Sequence, residues 1–277
     1  MDSQNRPQRQ AIARLSLVCL AALGCGLAHG QANPFYVGAS QSLTHESNLF
    51  RGAGGVSESD TLSVTSLLLG LDQPIGRQRL FADAVLRAGR YSDHSQLNYT
   101  GAGLLAGVDW EAAESLSGRL SYRNDRTLAP TGLDLGIGDP GRRNMQTVQE
   151  FALRGLSSKS APYAVEVGYL HRSLDYSLAE ANTLEFEQDT ASVGLLYRPT
   201  AALTLGLSLR RTDGSYPYAV PTDLPDDFKR NDVDLSVVWV ASGASTVTAR
   251  LSRTREDHSA LPARDVAGTT GALSWNY

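Results

Sequence analysis

From residue 33 onward the chain alternates. Leu116, Gly118, Leu120 and Tyr122 are interleaved with Ser117, Arg119, Ser121, Arg123 and Asp125. Leu203, Leu205, Leu207 and Leu209 likewise oppose Thr204, Gly206, Ser208, Arg210 and Thr212, and Val247, Ala249 and Leu251 oppose Thr248, Arg250, Ser252 and Thr254. A period of two marks a strand with one apolar and one polar face, and no long window carries the 3.6-residue spacing of an amphipathic helix. The pattern predicts twelve strands, near 33–47, 60–72, 78–91, 97–110, 115–126, 144–155, 163–176, 186–198, 203–212, 229–241, 245–255 and 266–277. Most exceed the five or six residues usual in soluble sheets and satisfy the roughly 9 to 11 that a tilted strand needs to cross a bilayer.

The connections carry a second pattern. After every even-numbered expected strand they are short: "QPIGR", "EAAE", "SSKSA", "PTAA" and "SGA". Those after the odd-numbered strands are usually longer and more polar, notably 127–143 and 213–228, where "GLDLGIGDPG" and "YAVPTDLPDD" read as solvated outer loops. Short periplasmic turns alternating with long outer loops are the habit of outer-membrane barrels. The expected fold is therefore all-β, a transmembrane antiparallel up-and-down β-barrel of about twelve strands with its N-terminus in the periplasm. Closure follows from hydrogen bonding, because an open sheet edge in hydrocarbon leaves backbone groups unpaired at several kcal/mol each.

That orientation puts Trp110, Trp239 and Trp275 at the inner ends of inward-running strands, with Phe35, Tyr163 and Tyr197 at the same level. Tyr277 ends the last strand on the face of Trp275 and Leu273. Such a level is the expected inner aromatic girdle, since these rings favour the membrane–water interface. Tyr91, Tyr99, Tyr122 and Tyr176 fall near the outer ends.

The first 32 residues differ. Arg6, Arg9 and Arg14 precede the apolar run "LSLVCLAALGCGLA" (15–28) and small residues, which is the layout of a cleaved secretory signal. The organisation predicted is a signal peptide over 1–32 and an outer-membrane β-barrel over 33–277. Both cysteines, Cys19 and Cys25, lie in the signal, so residues 33–277 have no disulfide, thiol chemistry or cysteine-ligated metal. Residues 33–277 hold 22 basic and 28 acidic side chains, a net charge of −6, which argues against nucleic acid as a partner. Outer-membrane lipid and the outer-membrane assembly machinery are the expected partners, and no cofactor or metal site is implied.

With the apolar set facing lipid, Arg87, Arg119, Arg123, Arg172, Arg210 and Arg250 become lumen-lining, and Asp83, Glu166 and Asp234 share that interior. Two readings stay open. The arginines pair with carboxylates and fill a narrow barrel, or unpaired guanidiniums line a path for an anionic or hydroxyl-rich solute. Twelve strands lie between filled eight-strand barrels and open sixteen-strand porins, so any pore is narrow.

Two stretches carry resemblances. "THESNLFR" (44–51) resembles the His-x-Ser-Asn core of the outer-membrane phospholipases at His45, Ser47 and Asn48, but Leu49 stands where those enzymes continue with glycine. No second asparagine or acid is spaced to orient the histidine, and the expectation is a non-enzyme. The phrases "NPFYVGASQSLTHESNLFR", "SDTLSVTSLLLGLDQPIGRQRLFADAVLRAGRYSDHSQLNYTGAGLLAGVDW" and "EQDTASVGLLYRPTAALTL" resemble the EpsL-like outer-membrane barrels of exopolysaccharide export systems, which belong with the β-barrel porins. The resemblance implies a cell outer-membrane location and a narrow porin or accessory channel, with polysaccharide and periplasmic export proteins as partners. A general solute porin and a structural barrel are the alternatives. Members of that family are often longer, and "GALSWNY" is similar to a strand that elsewhere runs on into an "RPT" turn like 198–200, which leaves room for more than twelve strands.

Overall fold

The computed structural model describes residues 16–21, 33–51, 58–112, 115–131, 141–219 and 224–277. Thirteen strands form one sheet in strict chain order, every neighbouring pair antiparallel. They are β1 Ser16–Ala21, β2 Phe35–Glu46, β3 Asp60–Ile75, β4 Gln78–Tyr91, β5 Tyr99–Ala112, β6 Leu116–Leu128, β7 Met145–Leu156, β8 Tyr163–Tyr176, β9 Phe186–Thr200, β10 Leu203–Ala219, β11 Leu224–Ser242, β12 Ser245–His258 and β13 Val266–Asn276. The twelve from β2 onward are the twelve that the alternation predicts, in an all-β, up-and-down antiparallel order.

The registers sort the side chains. Leu67 faces Leu86, Ala84 faces Leu104, Leu153 faces Tyr169, Val193 faces Leu209 and Leu235 faces Leu251, so the apolar positions form one unbroken face. Leu67, Leu69, Leu104, Leu153, Leu195, Leu207, Leu235 and Leu251 are all exposed there. Only one sheet exists among the described residues, so nothing stacks against these leucines. The opposite face is mostly polar, with apolar side chains such as Leu68, Phe81, Val85, Leu105, Leu170 and Val238 among the charged groups.

The polar face is the concave one. Side chains from strands two apart meet on it: Tyr36 of β2 donates to Asp83 of β4, and Arg87 of β4 bonds Asp125 of β6 at 3.2 Å. Across the outer rim, the Thr131 hydroxyl donates to the Leu49 carbonyl at 2.7 Å. Buried apolar side chains cluster at this outer end, among them Leu49, Leu97, Tyr99, Met145 and Phe228.

Three details depart from expectation. Residues 213–228 are mostly ladder, with Asp213 opposite Lys229, Tyr216 opposite Asp226 and Ala219 opposite Leu224. Pro217 suggests a loop, but the register shifts between Tyr216 and Ala219, and such an irregularity removes the need for its missing N–H. Of the other expected long loop, residues 132–140 lie outside the described residues. Tyr91, Tyr99 and Tyr176 lie on the concave side, leaving Tyr122 as the one of the four on the leucine face.

The third concerns closure. Among the described residues β13 pairs only with β12, while the free edge of β2 carries β1, Ser16 opposite Thr44 through Ala21 opposite Ala39. Part of the expected signal segment thus occupies the edge that the last strand was expected to take.

Gly76, with φ +61°, opens the two-residue turn between Ile75 and Gln78, where a left-handed first position suits a hairpin. Gly107 answers a different need. A Cβ there would lie 2.3 Å from the Leu120 carbonyl oxygen and 2.6 Å from the Phe81 ring. Gly107→Val is expected to destabilise the sheet by about 1–3 kcal/mol through forced overpacking, read as a lowered urea midpoint, whereas Gly268→Val, with nothing near its Cβ, is expected to be within about 0.5 kcal/mol of wild type.

Candidate functional site: an ion-paired concave face

Charge on the concave face is arranged in cross-strand pairs. At the inner end Arg79 holds Asp72 with two bonds of 2.7 Å and Asp109 at 3.2 Å, and Arg119 grips Asp109 at 2.5 and 2.9 Å. Both guanidiniums lie over the Phe81 ring, at 5.7 and 5.1 Å from its centre, and the ring occupies space that a side chain at Gly107 would take. Arg154 pairs with Glu166 beside them.

Midway, Arg172 meets Glu150 at 3.3 Å and covers Phe186 at 5.5 Å. Arg87 reaches Asp125 across β5 because Gly103 intervenes; a Cβ on Gly103 would be 2.7 Å from the Asp125 carboxylate. The densest group spans β10 to β12. Arg210 and Arg230 both donate to Asp232 at 3.1 Å, and Arg210 and Arg250 both donate to Asp234, at 3.3 and 2.7 Å. Thr254 donates to Asp232 at 2.5 Å and Ser252 to Asp234. The Asp232 side chain is 1% exposed, so its charge depends on these donors.

These groups border a cleft of about 660 Å³ along β7 to β12, lined by Arg154, Glu166, Gln188, Thr190, Arg210, Arg230 and Glu256. Its outer end is aromatic. Phe186 and Tyr216 lie 6.2 Å apart, Tyr216 and Phe228 5.5 Å, and Phe228 stacks on His258 at 5.6 Å.

All nine residues nominated as lumen-lining fall on this one face. Arg87, Arg119, Arg172, Arg210 and Arg250 have carboxylate partners, as do the carboxylates Glu166 and Asp234 in reverse, while Asp83 accepts from the Tyr36 hydroxyl. Arg123 is exposed on the same face, and its side chain has no hydrogen bond or ion pair among the described residues. The sequence reading missed Asp72, Asp109, Asp125, Glu150 and Asp232. Three of these stand directly opposite their arginines, Asp109 to Arg119, Glu150 to Arg172 and Asp232 to Arg210, so strand register was the signal that finds them.

The proposed girdle residues lie together on the leucine face near the inner ends: Tyr163 stacks on Tyr197 at 4.8 Å, Leu203 sits opposite Trp239, and Val247 opposite Trp275. Phe35 and Trp110 occupy the same ends of β2 and β5, and Tyr277 contacts Trp275 edge-on at 6.3 Å. His45 shares the leucine face, and its Nδ1 lies 3.1 Å from the Thr61 hydroxyl.

At the outer rim, in the loop after β4, His94 is held between two acids, Nε2 to Glu58 and Nδ1 to Asp60, both at 2.8 Å. Its pKa is raised, chiefly by the hydrogen bond to Glu58 and then by that to Asp60.

Comparison with protein-family models finds none that matches, and comparison with curated proteins finds none. Among solved structures, the chain is similar to outer-membrane-expressed OmpT of Vibrio cholerae at TM-score 0.44 and 13% identity, over 87% of this chain and 89% of that one. The in-vitro folded form of OmpT, an outer membrane protein of Vibrio cholerae, gives TM-score 0.43 and 14% identity over 96% and 95%.

Two outcomes follow. Asp232→Ala removes the acceptor that Arg210 and Arg230 share, leaving Arg210 with Asp234 and Arg230 with Glu256 at 3.9 Å, and is expected to cost about 1–3 kcal/mol in a refolding titration, against under about 0.5 for the exposed Glu187→Ala. A histidine whose folded pKa is raised stabilises fully below its unfolded value, near 6.5, and loses that contribution as pH climbs through the folded value. The stability gap between wild type and His94→Gln is therefore expected to shrink as pH rises from 6 through the folded-state pKa, measured by thermal melts across pH.

Proposed function

We propose that this chain is an outer-membrane β-barrel, non-enzymatic, whose concave face lines a narrow aqueous channel. One observation carries the reading: a single sheet exposes an unbroken leucine-and-valine face on one side and an ion-paired arginine–carboxylate face on the other. In water that apolar face is untenable, because soluble monomers rarely expose contiguous patches beyond a few hundred Å². Against acyl chains it is the low-energy arrangement, and the alternation then delivers the arginines to water.

The leucine face gives way outward to His171, Asp189, Arg211, Asp213, Lys229, Arg253 and Arg255. These polar positions mark where hydrocarbon ends, and the Trp and Tyr level marks its inner boundary. Residues 1–32 are read as the secretory signal that delivers the chain to the periplasm, with membrane lipid and the assembly machinery as partners.

The solute reading is finer. The phrases that resemble exopolysaccharide-export barrels favour a channel or accessory for an exopolysaccharide, working beside periplasmic export proteins. The pairing of five of the six nominated arginines favours weak charge selectivity, with Arg123 the one of the six that has no carboxylate partner among the described residues, which suits a hydroxyl-rich solute better than a small anion. Refolded protein in planar bilayers is expected to show small conductance steps that an anionic oligosaccharide blocks. Conductance indifferent to the sugar would favour a general solute porin, and a silent bilayer a structural barrel. Arg123→Ala is expected to shift permeability toward cations while leaving the urea midpoint within about 0.5 kcal/mol of wild type.

A further inference from the structure

The outer loops after β4, β8 and β12 are built alike. In each, the last strand residue, Tyr91, Tyr176 or His258, donates its N–H to a side-chain oxygen at the loop's end, Asn98, Glu185 or Asp265, at 2.7, 2.9 and 2.8 Å. Each then has a serine, Ser92, Ser177 or Ser259, whose N–H donates to a carbonyl on the preceding strand, Thr61, Met145 or Asp227. The residue before that carbonyl, Asp60, Asn144 or Asp226, takes loop N–H groups on its own side chain: those of Ser92 and His94, of Leu178, and of Ala260 and Leu261. All three loops contain a 3-10 segment, three residues long after β4 and β12 and six after β8, closed by an N–H from Asn98, Glu185 or Asp265.

The latch recurs every four strands, which divides the sheet into the units β2–β5, β6–β9 and β10–β13. The joints between units obey the same count. Trp110, twelve residues past Asn98, stands opposite Gly118, and Tyr197, twelve past Glu185, stands opposite Leu205. Gly118 and Leu205 each precede by eleven the residue that faces the latch position, Ala129 against Asn144 and Tyr216 against Asp226. Applied to the free edges, the count pairs Tyr277, twelve past Asp265, with Phe35, eleven before Glu46, which faces Asp60.

We propose that the chain is a threefold repeat of a four-stranded unit, and that β13 and β2 are each other's partners, closing the barrel in the register Tyr277 opposite Phe35. The pairing places odd-numbered residues opposite odd-numbered residues, so leucine face meets leucine face: Trp275 with Val37, Leu273 with Ala39, Gly271 with Gln41. It also puts Trp110, Tyr197 and Tyr277 at equivalent points of the three joints, one aromatic each. Both edges lie within the apolar band, and the need to pair them rests on the membrane reading; the register rests on the repeat alone. Because β1 covers Ala39 to Thr44, the same stretch, β13 docks only once residues 16–21 leave.

The test uses paired cysteines in the full chain, expressed in a Gram-negative host, with outer membranes isolated and loss of residues 1–32 checked by mass. Gly271→Cys/Gln41→Cys is compared with its equivalents at the two existing joints, Leu104→Cys/Asn124→Cys and Ala191→Cys/Arg211→Cys. The expected result is an intrachain disulfide at a yield like those two and several-fold above the shifted pairs Gly271→Cys/Ala39→Cys and Gly271→Cys/Leu43→Cys. Equal or higher yield at a shifted pair, a disulfide between two chains, or no link at Gly271 while both existing joints link, overturns the proposed seam. Failure at all three joints in membrane-inserted protein overturns the seam and the repeat together, and protein that never reaches the membrane overturns the barrel reading with them.

Discussion

Strand register is the constraint on which everything else in this molecule depends. The side-chain period of a strand is two, so a slip of one residue at any of the antiparallel ladders would carry leucines onto the arginine face and arginines onto the leucine face. The observed ladders keep Leu207 against Leu195 on one side and Leu235 on the other, and Arg210 against Ser192 and Asp232. Each ladder thereby satisfies the backbone and sorts the two faces in one act. Cross-strand ion pairs reinforce the choice, since Arg119 and Asp109, Arg172 and Glu150, and Arg210 and Asp232 meet only in this alignment.

Those pairs also decide what the concave face can do. An arginine with a carboxylate in hand fills space and resists repulsion, but offers a solute little net charge. The face is polar and wide in hydrogen-bonding capacity, with Gln188, Thr190, Ser192 and Thr212 between the charged groups, and electrically close to balanced. In the proposed channel, selectivity rests on width, on the aromatic outer end around Tyr216, and on the exposed Arg123.

How much of this was legible beforehand depended on range. The alternation is local, and it placed twelve strands near their observed bounds, and every nominated lumen residue on one face. The ladder through 213–228 was not legible, because Pro217 and the Asp and Pro residues after it are turn formers, and only packing of Tyr216 and Phe228 with a register shift draws them into strands. The carboxylates Asp109, Glu150 and Asp232 were visible as residues and invisible as partners, since their pairing is set across strands. The latch loops were hidden for another reason: Asp60, Asn144 and Asp226 perform one task with two residue types, and Asn98, Glu185 and Asp265 with three. His45 looked like chemistry in a tripeptide, and its observed neighbour is a threonine hydroxyl.

The most direct test places single cysteines at successive positions 205 to 210 of the full chain and measures their reaction with a charged, membrane-impermeant maleimide in isolated outer membranes, after mass has confirmed that residues 1–32, and with them Cys19 and Cys25, are gone. The account predicts a two-residue rhythm, with positions 206, 208 and 210 labelled and 205, 207 and 209 protected until detergent is added. Uniform labelling along the strand, or the inverse rhythm, would contradict it.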